Sequence, residues 1–174
     1  GGASDDVYKH GFRWIVGSLT PANRYLEGLL PMVRQADSSA STVAFVRAST
    51  GEFPRAVCAG VAERSEDLGF RIVLNVLFDS SSDDFTNPLA AVAAAEPDVV
   101  VIVGRVQNDI GIARKIAEIG INAGVVVAVA AGIQVFKDEL KSLSHRFVGP
   151  SQWEPRVQVL TDFGPTSAEV ISSL

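Results

Sequence analysis

Short apolar runs alternate along the 174-residue chain with polar, glycine-containing turns and with longer stretches whose apolar positions recur at helical spacing. Thr42–Arg47, Arg71–Phe78, Asp98–Val103 and Val125–Ala130 are near-continuous apolar runs that predict strands, Thr42–Arg47, rich in β-branched residues, and Asp98–Val103 reading as buried ones. Trp14–Val16 predicts an entering strand and His145–Val148 a short closing one. The intervening segments predict helices. One starts behind a Thr20 cap with Pro21 at its first position and runs to about Ala36, kinked or restarted at Pro31. A second spans about Phe53–Leu68 and closes at Gly69. Asn87-Pro88 opens an Ala-rich helix to Glu96, Asp109–Ile119 ends at Gly120, and Phe136–Leu143 is short. Thr166-Ser167-Ala168-Glu169 is a capping box for a last helix. This alternation predicts βαβ units. The expected fold class is α/β: a doubly wound, Rossmann-like, mostly parallel sheet of about five strands with helices on both faces.

Composition narrows the picture. With 47% apolar residues the chain can bury a core of its own, and its length fits one domain of roughly 150 residues. The net charge is −5 and no stripe of Lys and Arg offsets it, which argues against nucleic acid or an anionic membrane surface as partner. One Cys and two His fall short of a zinc cluster, so no metal site is expected. The most apolar stretch, Gly124–Ala131, is far shorter than the ~20 residues of a membrane helix. Gly1-Gly2-Ala3-Ser4-Asp5-Asp6 has no initiator Met and no apolar signal core, and reads as a processed or engineered start.

Motifs for enzyme chemistry are absent from the sequence. There is no Gly-x-Gly-x-x-Gly, no phosphate-binding Gly-x-x-x-x-Gly-Lys-Ser/Thr and no Gly-x-Ser-x-Gly elbow. No cofactor and no catalytic residue are therefore expected. Ligands of such sheets gather at the carboxyl ends of the strands, which directs attention to Gly17–Thr20, Ala48–Glu52, Asp79–Thr86, Gly104–Asn108 and Ala131–Gln134. Cys58 falls mid-helix and reads as an inert buried thiol; His10 and His145 read as surface residues; Asp83-Asp84 reads as solvated or capping acids.

Several stretches, in order, resemble the type I periplasmic binding proteins, specifically the branched-chain amino acid family of ABC-transporter solute receptors. They are Thr42–Val46 with Ser49-Thr50-Gly51-Glu52-Phe53, Glu66–Val73, Asp83–Thr86 with Pro88-Leu89, Pro97–Gly104, and Ala113–Ile121. The likeness runs over about Trp14–Gln152 and covers mainly the second of that family's two lobes. Gly149–Trp153 and Phe163–Thr166 resemble its return segment toward the first. The implied organisation is a lead-in over 1–11, a ligand-binding lobe over 12–149 and a hinge segment over 150–174. Trp14, Trp153 or Phe163 would then be exposed, or covered by a second copy of the chain in a homodimer.

What the resemblance implies is an extracytoplasmic or periplasmic protein that closes on a small polar ligand, such as an amino acid or related carboxylate. It would deliver that ligand to the membrane permease of an ABC importer. A ligand-sensing ectodomain of a signalling receptor is the alternative within the superfamily, and a doubly wound α/β enzyme the alternative outside it. The candidate ligand contacts are Ser18, Thr20, Thr50, Glu52, Phe53, Arg105, Gln107 and Gln134. Each has a plainer reading. Thr20, Thr50 and Glu52 suit helix starts, Phe53 suits a core anchor, and Arg105, Gln107 and Gln134 suit solvent. The family's aromatic after the first strand of this lobe is often Tyr, whereas Phe53 has no hydroxyl.

Overall fold

In the computed structural model, which describes residues 3, 5–17, 19–151 and 164–173, the valine-rich runs form a four-stranded sheet. Its strands are β1 (Thr42–Ala48), β2 (Arg71–Phe78), β3 (Val99–Val103) and β4 (Val125–Ala128), all parallel and ordered β2-β1-β3-β4. Alternate residues of each strand serve opposite faces. Val43, Phe45, Val99, Val101 and Val103 pack on one side with α1 (Leu29–Ala36) and α2 (Glu52–Leu68), through Leu30, Val33, Val57 and Val61. Val46, Val100, Ile102, Val126 and Ala128 pack on the other. That side is covered by α3 (Thr86–Ala95), α4 (Val106–Ile119) and α5 (Gln134–Leu140). Helices on both faces of a parallel sheet are the doubly wound arrangement expected from the alternation.

Helix ends follow local chemistry. Helices α2 and α4 close on Gly69 and Gly120 in left-handed conformation, where a side chain would be strained. Thr166 and Glu169 form the expected reciprocal capping box ahead of α6 (Ser167–Ser173), through bonds of 2.8 and 3.3 Å.

Several expected elements differ. Trp14–Val16 is not a strand: Trp14 is 94% exposed, and among the described residues no strand pairs with the segment. The sheet therefore has four strands, and His145–Val148 contributes only an isolated bridge from Val148 to Val127. Strand β4 stops at Ala128, because Val129–Gly132 winds into a 3-10 turn. The helix expected from Pro21 begins as a 3-10 turn, Ala22–Arg24, flanked by Pro21 rather than capped by Thr20. The α-helix starts only at Leu29, so Pro31 falls in a first turn that needs no amide donor. Helix α5 ends at Leu140 and gives way to a 3-10 segment, Lys141–Arg146. Trp153 and Phe163 lie outside the described residues.

Candidate functional site

Strand order alone marks a place on this sheet. From β1 the chain moves by α2 to β2 on one side, while β3 leads by α4 to β4 on the other. The carboxyl ends of β1 and β3 therefore flank a topological switch point, where open α/β sheets hold ligands. A groove of about 640 Å³ lies there.

Its walls differ in character. On one side the rings of Tyr25 and Phe53 meet edge to face, 5.1 Å apart at 84°. Tyr25 comes from the turn before α1 and Phe53 from the first turn of α2. From the end of β3 comes Arg105, the residue preceding α4, with Gly104 and Val106. Its side chain is exposed, and among the described residues no acid pairs with it. The turn after β4 supplies Val129, Ala130, Gly132 and Ile133, with Pro150 and Ser151 beside it. Burial raises the Tyr25 hydroxyl above the usual tyrosine range, which keeps it a neutral donor and acceptor. A shallower depression shares Tyr25, Pro150 and Ser151 and extends past Met32.

The frame under the groove is polar and buried. Asn108 and Asp109 follow one another in the first turn of α4, and both are buried. Asn108 Oδ1 accepts the Arg105 N–H at 3.1 Å, and its Nδ2 donates to the Ser80 carbonyl at 3.1 Å. Asp109 Oδ2 accepts the Ala130 N–H at 3.0 Å. Its other oxygen has no hydrogen-bond partner. Burial pushes this carboxyl up to about 7, against the opposing pull of the Ala130 and Gly104 amides.

Of the sequence candidates, Phe53 and Arg105 line the groove together. Thr50 and Glu52 are exposed on the turn between β1 and α2, where Glu52 pairs with Arg55. Gln107 is exposed in the first turn of α4, and Gln134 donates to Asp138 Oδ1 at 2.6 Å. Thr20 is exposed ahead of the 3-10 turn, and Ser18 lies outside the described residues. Sequence reasoning passed over Tyr25, which looked like an interior helical position, and the Asn108-Asp109 pair, which looked like an ordinary helix start.

The remaining reactive side chains sit apart. Cys58 is buried in α2, and burial raises its thiol to about 12, which leaves it inert at neutral pH. Asp84 accepts the Thr86 N–H at 2.9 Å and so opens α3 rather than acting in an acid pair. Among the described residues no group of three or more His, Cys, Asp or Glu side chains converges on a metal position. Among them, too, no helix is long and apolar enough to cross a membrane.

Solved structures with this arrangement share little sequence with the chain. A leucine-binding protein from Thermotoga maritima superposes with a TM-score of 0.69 at 14% identity, covering 79% of this chain and 39% of its own. An amino acid ABC transporter substrate-binding protein from Pseudomonas fluorescens gives 0.63 at 19% identity, covering 80% and 38%. An ABC-transporter solute-binding protein from R. palustris, in complex with 4-hydroxybenzoate, gives 0.61 at 14%, covering 72% and 35%. The chain thus spans well under half the length of these proteins, and the likeness establishes a shared fold. The sequence model described as "Periplasmic binding protein" matches residues 2–159, nearly the whole chain. With the doubly wound sheet and the groove at its switch point, that match shows that the chain belongs to the periplasmic binding protein family.

Proposed function

We propose that this chain is the ligand-binding lobe, over 12–149 with a return segment over 150–174, of an extracytoplasmic solute-binding protein. It holds a small organic carboxylate, an amino acid or an aromatic acid, for the membrane permease of an ABC importer. The observation that carries this reading is the mixed lining of the groove: an aromatic pair, Tyr25 and Phe53, shares it with Arg105, which no described acid neutralises. A carboxylate meets Arg105 in a charge-assisted pair strengthened by the positive end of α4, while the apolar part of the ligand lies on the rings. The ligands of two similar proteins, leucine in one and 4-hydroxybenzoate in the other, share that division. Binding needs no covalent step; closure over the groove completes the site. Thr50, Glu52, Gln107 and Gln134, exposed at the same end of the sheet, are proposed as contacts made from the rim on closure. The exposed lead-in around Trp14 is proposed to pair with a second copy of the chain.

One face buries only part of a ligand, whereas formed pockets bury roughly 70–90% of one. Weak binding by the chain itself is therefore expected. An amide NMR titration with leucine, benzoate and 4-hydroxybenzoate reads it directly. At least one of these should shift the amides of Gly104–Val106 and Val129–Ile133 together, and Arg105→Ala should abolish the response. Scattered shifts, or a response unchanged in the variant, would overturn the assignment.

A further inference from the structure

The Asn108-Asp109 pair is an expensive feature for a short turn. An unpaired carboxylate oxygen in an apolar setting costs free energy unless its position does something. Nothing in local helix chemistry requires it, because α4 would start equally well on a solvated acid. The setting of Asp109 is nonetheless tight. A Cβ built on Gly104 would stand 3.1 Å from Asp109 Oδ1 and 2.9 Å from Phe78 Cζ, so the backbone of the Arg105 turn rests almost on the carboxyl.

We infer that Asn108 and Asp109 are positioning residues of the groove: together they tie the turn that carries Arg105 to the loop after β2 and to the turn after β4, and so set where Arg105 stands relative to the Val129–Ile133 wall. Asn108 bonds the Arg105 amide and reaches Ser80 in the β2 loop. Asp109 holds Ala130. The Ala130 carbonyl in turn accepts the Ile133 N–H at 3.1 Å, which continues the tie to the far edge of the groove. Removing the Asp109 side chain frees the turn after β4 from the Arg105 turn without altering Arg105, Tyr25 or Phe53, and removing Asn108 frees the Arg105 amide from the β2 loop.

The tie also has two charge states within the physiological range, since the Asp109 carboxyl titrates near 7. As a carboxylate it is the stronger acceptor for Ala130; as a neutral acid it is the weaker. No charged neighbour complicates this, because the shift arises from burial and two backbone amides alone. On α5, Lys137 is exposed, Asp138 is held by Gln134, and Glu139 pairs with Arg114 of α4. Arg105, just ahead of α4, is exposed, and on α4 itself Lys115 pairs with Glu118. The β2 loop carries exposed Asp79, Asp83 and Asp84, and Glu96 is exposed at the end of α3. Strand β3 and the Val129–Gly132 turn carry no ionisable side chain.

The inference concerns the groove of the proposed function, but its test needs no ligand, so the two can fail separately. Amide hydrogen exchange of the 174-residue chain, corrected for intrinsic rates, is followed from pH 5 to 9. Protection of Ala130 and Ile133 should change together with pH, through a midpoint near 7. Asp109→Asn keeps an acceptor but not the charge, and should hold both amides at intermediate protection with no pH step. Asp109→Ala should lower both at least tenfold, and Asn108→Ala should do so for the Arg105 amide alone. Asp109→Asn, which keeps the shape of the side chain, decides the matter if the alanine variants do not fold. Protection of Ala130 and Ile133 that matches the wild type at every pH in Asp109→Asn, or that is unchanged in Asp109→Ala, would overturn the proposal.

Discussion

Asp98 and Asp109 sit near opposite ends of β3 and bend stability in opposite directions with pH. Asp98 Oδ2 accepts the Ser41 N–H at 2.8 Å, the Thr42 N–H at 2.9 Å and the Thr42 hydroxyl at 2.7 Å. The Ser41 amide and then the Thr42 hydroxyl hold its carboxyl below the usual range. Its contribution is present above the unfolded carboxylate range near 4 and is lost as pH falls through the lower folded value. Asp98→Ala should cost about 2 kcal/mol at pH 7 by urea unfolding, with a smaller penalty at pH 3. Asp109 has the reverse sign. Its folded value, about 7, lies above the unfolded one, so the folded chain retains a proton that the unfolded chain releases. Wild-type stability should fall between pH 4 and 7 relative to Asp109→Asn, with a slope of at most about 1.4 kcal/mol per pH unit, and run parallel above 7. Urea midpoints for the two proteins across that range check it; parallel curves throughout would remove the buried titration.

Among the elements, α2 depends on one contact that no propensity reveals. A Cβ on Gly60 would lie 1.7 Å from the Asn23 carbonyl oxygen, so the 3-10 turn before α1 rests directly on this helix. Gly60→Ala should therefore destabilise by about 1–3 kcal/mol, although alanine is the better helix former. Thermal unfolding of the variant measures this; a stabilised variant would show that the contact yields. Such long-range contacts also bound what the sequence disclosed. Strands β1 and β2, both glycine-capped helix ends and the two-faced layering follow from spacing and side-chain type, and were legible. Trp14–Val16 has strand-forming composition, but a strand exists only where neighbours accept its hydrogen bonds, and no strand among the described residues does so. The site was half legible for a related reason. Phe53 and Arg105 announce themselves at strand ends, and Gly104 and Gly132 fall in the turns expected to hold a ligand, whereas Val129 and Ala130 belong to the expected strand Val125–Ala130 and reach the groove because the backbone leaves β4 at Ala128. Tyr25 reaches Phe53 only through the packing of the turn before α1 on α2.

For the molecule as a whole, the balance of apolar surface is uneven. The core holds Phe136, Leu30, Leu89 and Ile102 almost free of solvent, yet the lead-in leaves Phe12 65%, Trp14 94% and Val16 93% exposed. Isolated exposed apolar residues are ordinary, but three within a few positions form a patch of the kind that protein contacts cover. Because these side chains touch little in the fold, changing them should leave folding intact. Trp14→Ser with Val16→Ser should shift the unfolding free energy by no more than about 0.5 kcal/mol. Association should respond instead. Sedimentation of the wild-type chain over a range of concentrations should show a reversible rise in mass, and the double variant should remain monomeric over the same range. A wild-type chain that stays monomeric at every concentration would remove the second copy as the cover for this patch. A large loss of stability in the variant would show that the lead-in packs on the lobe after all.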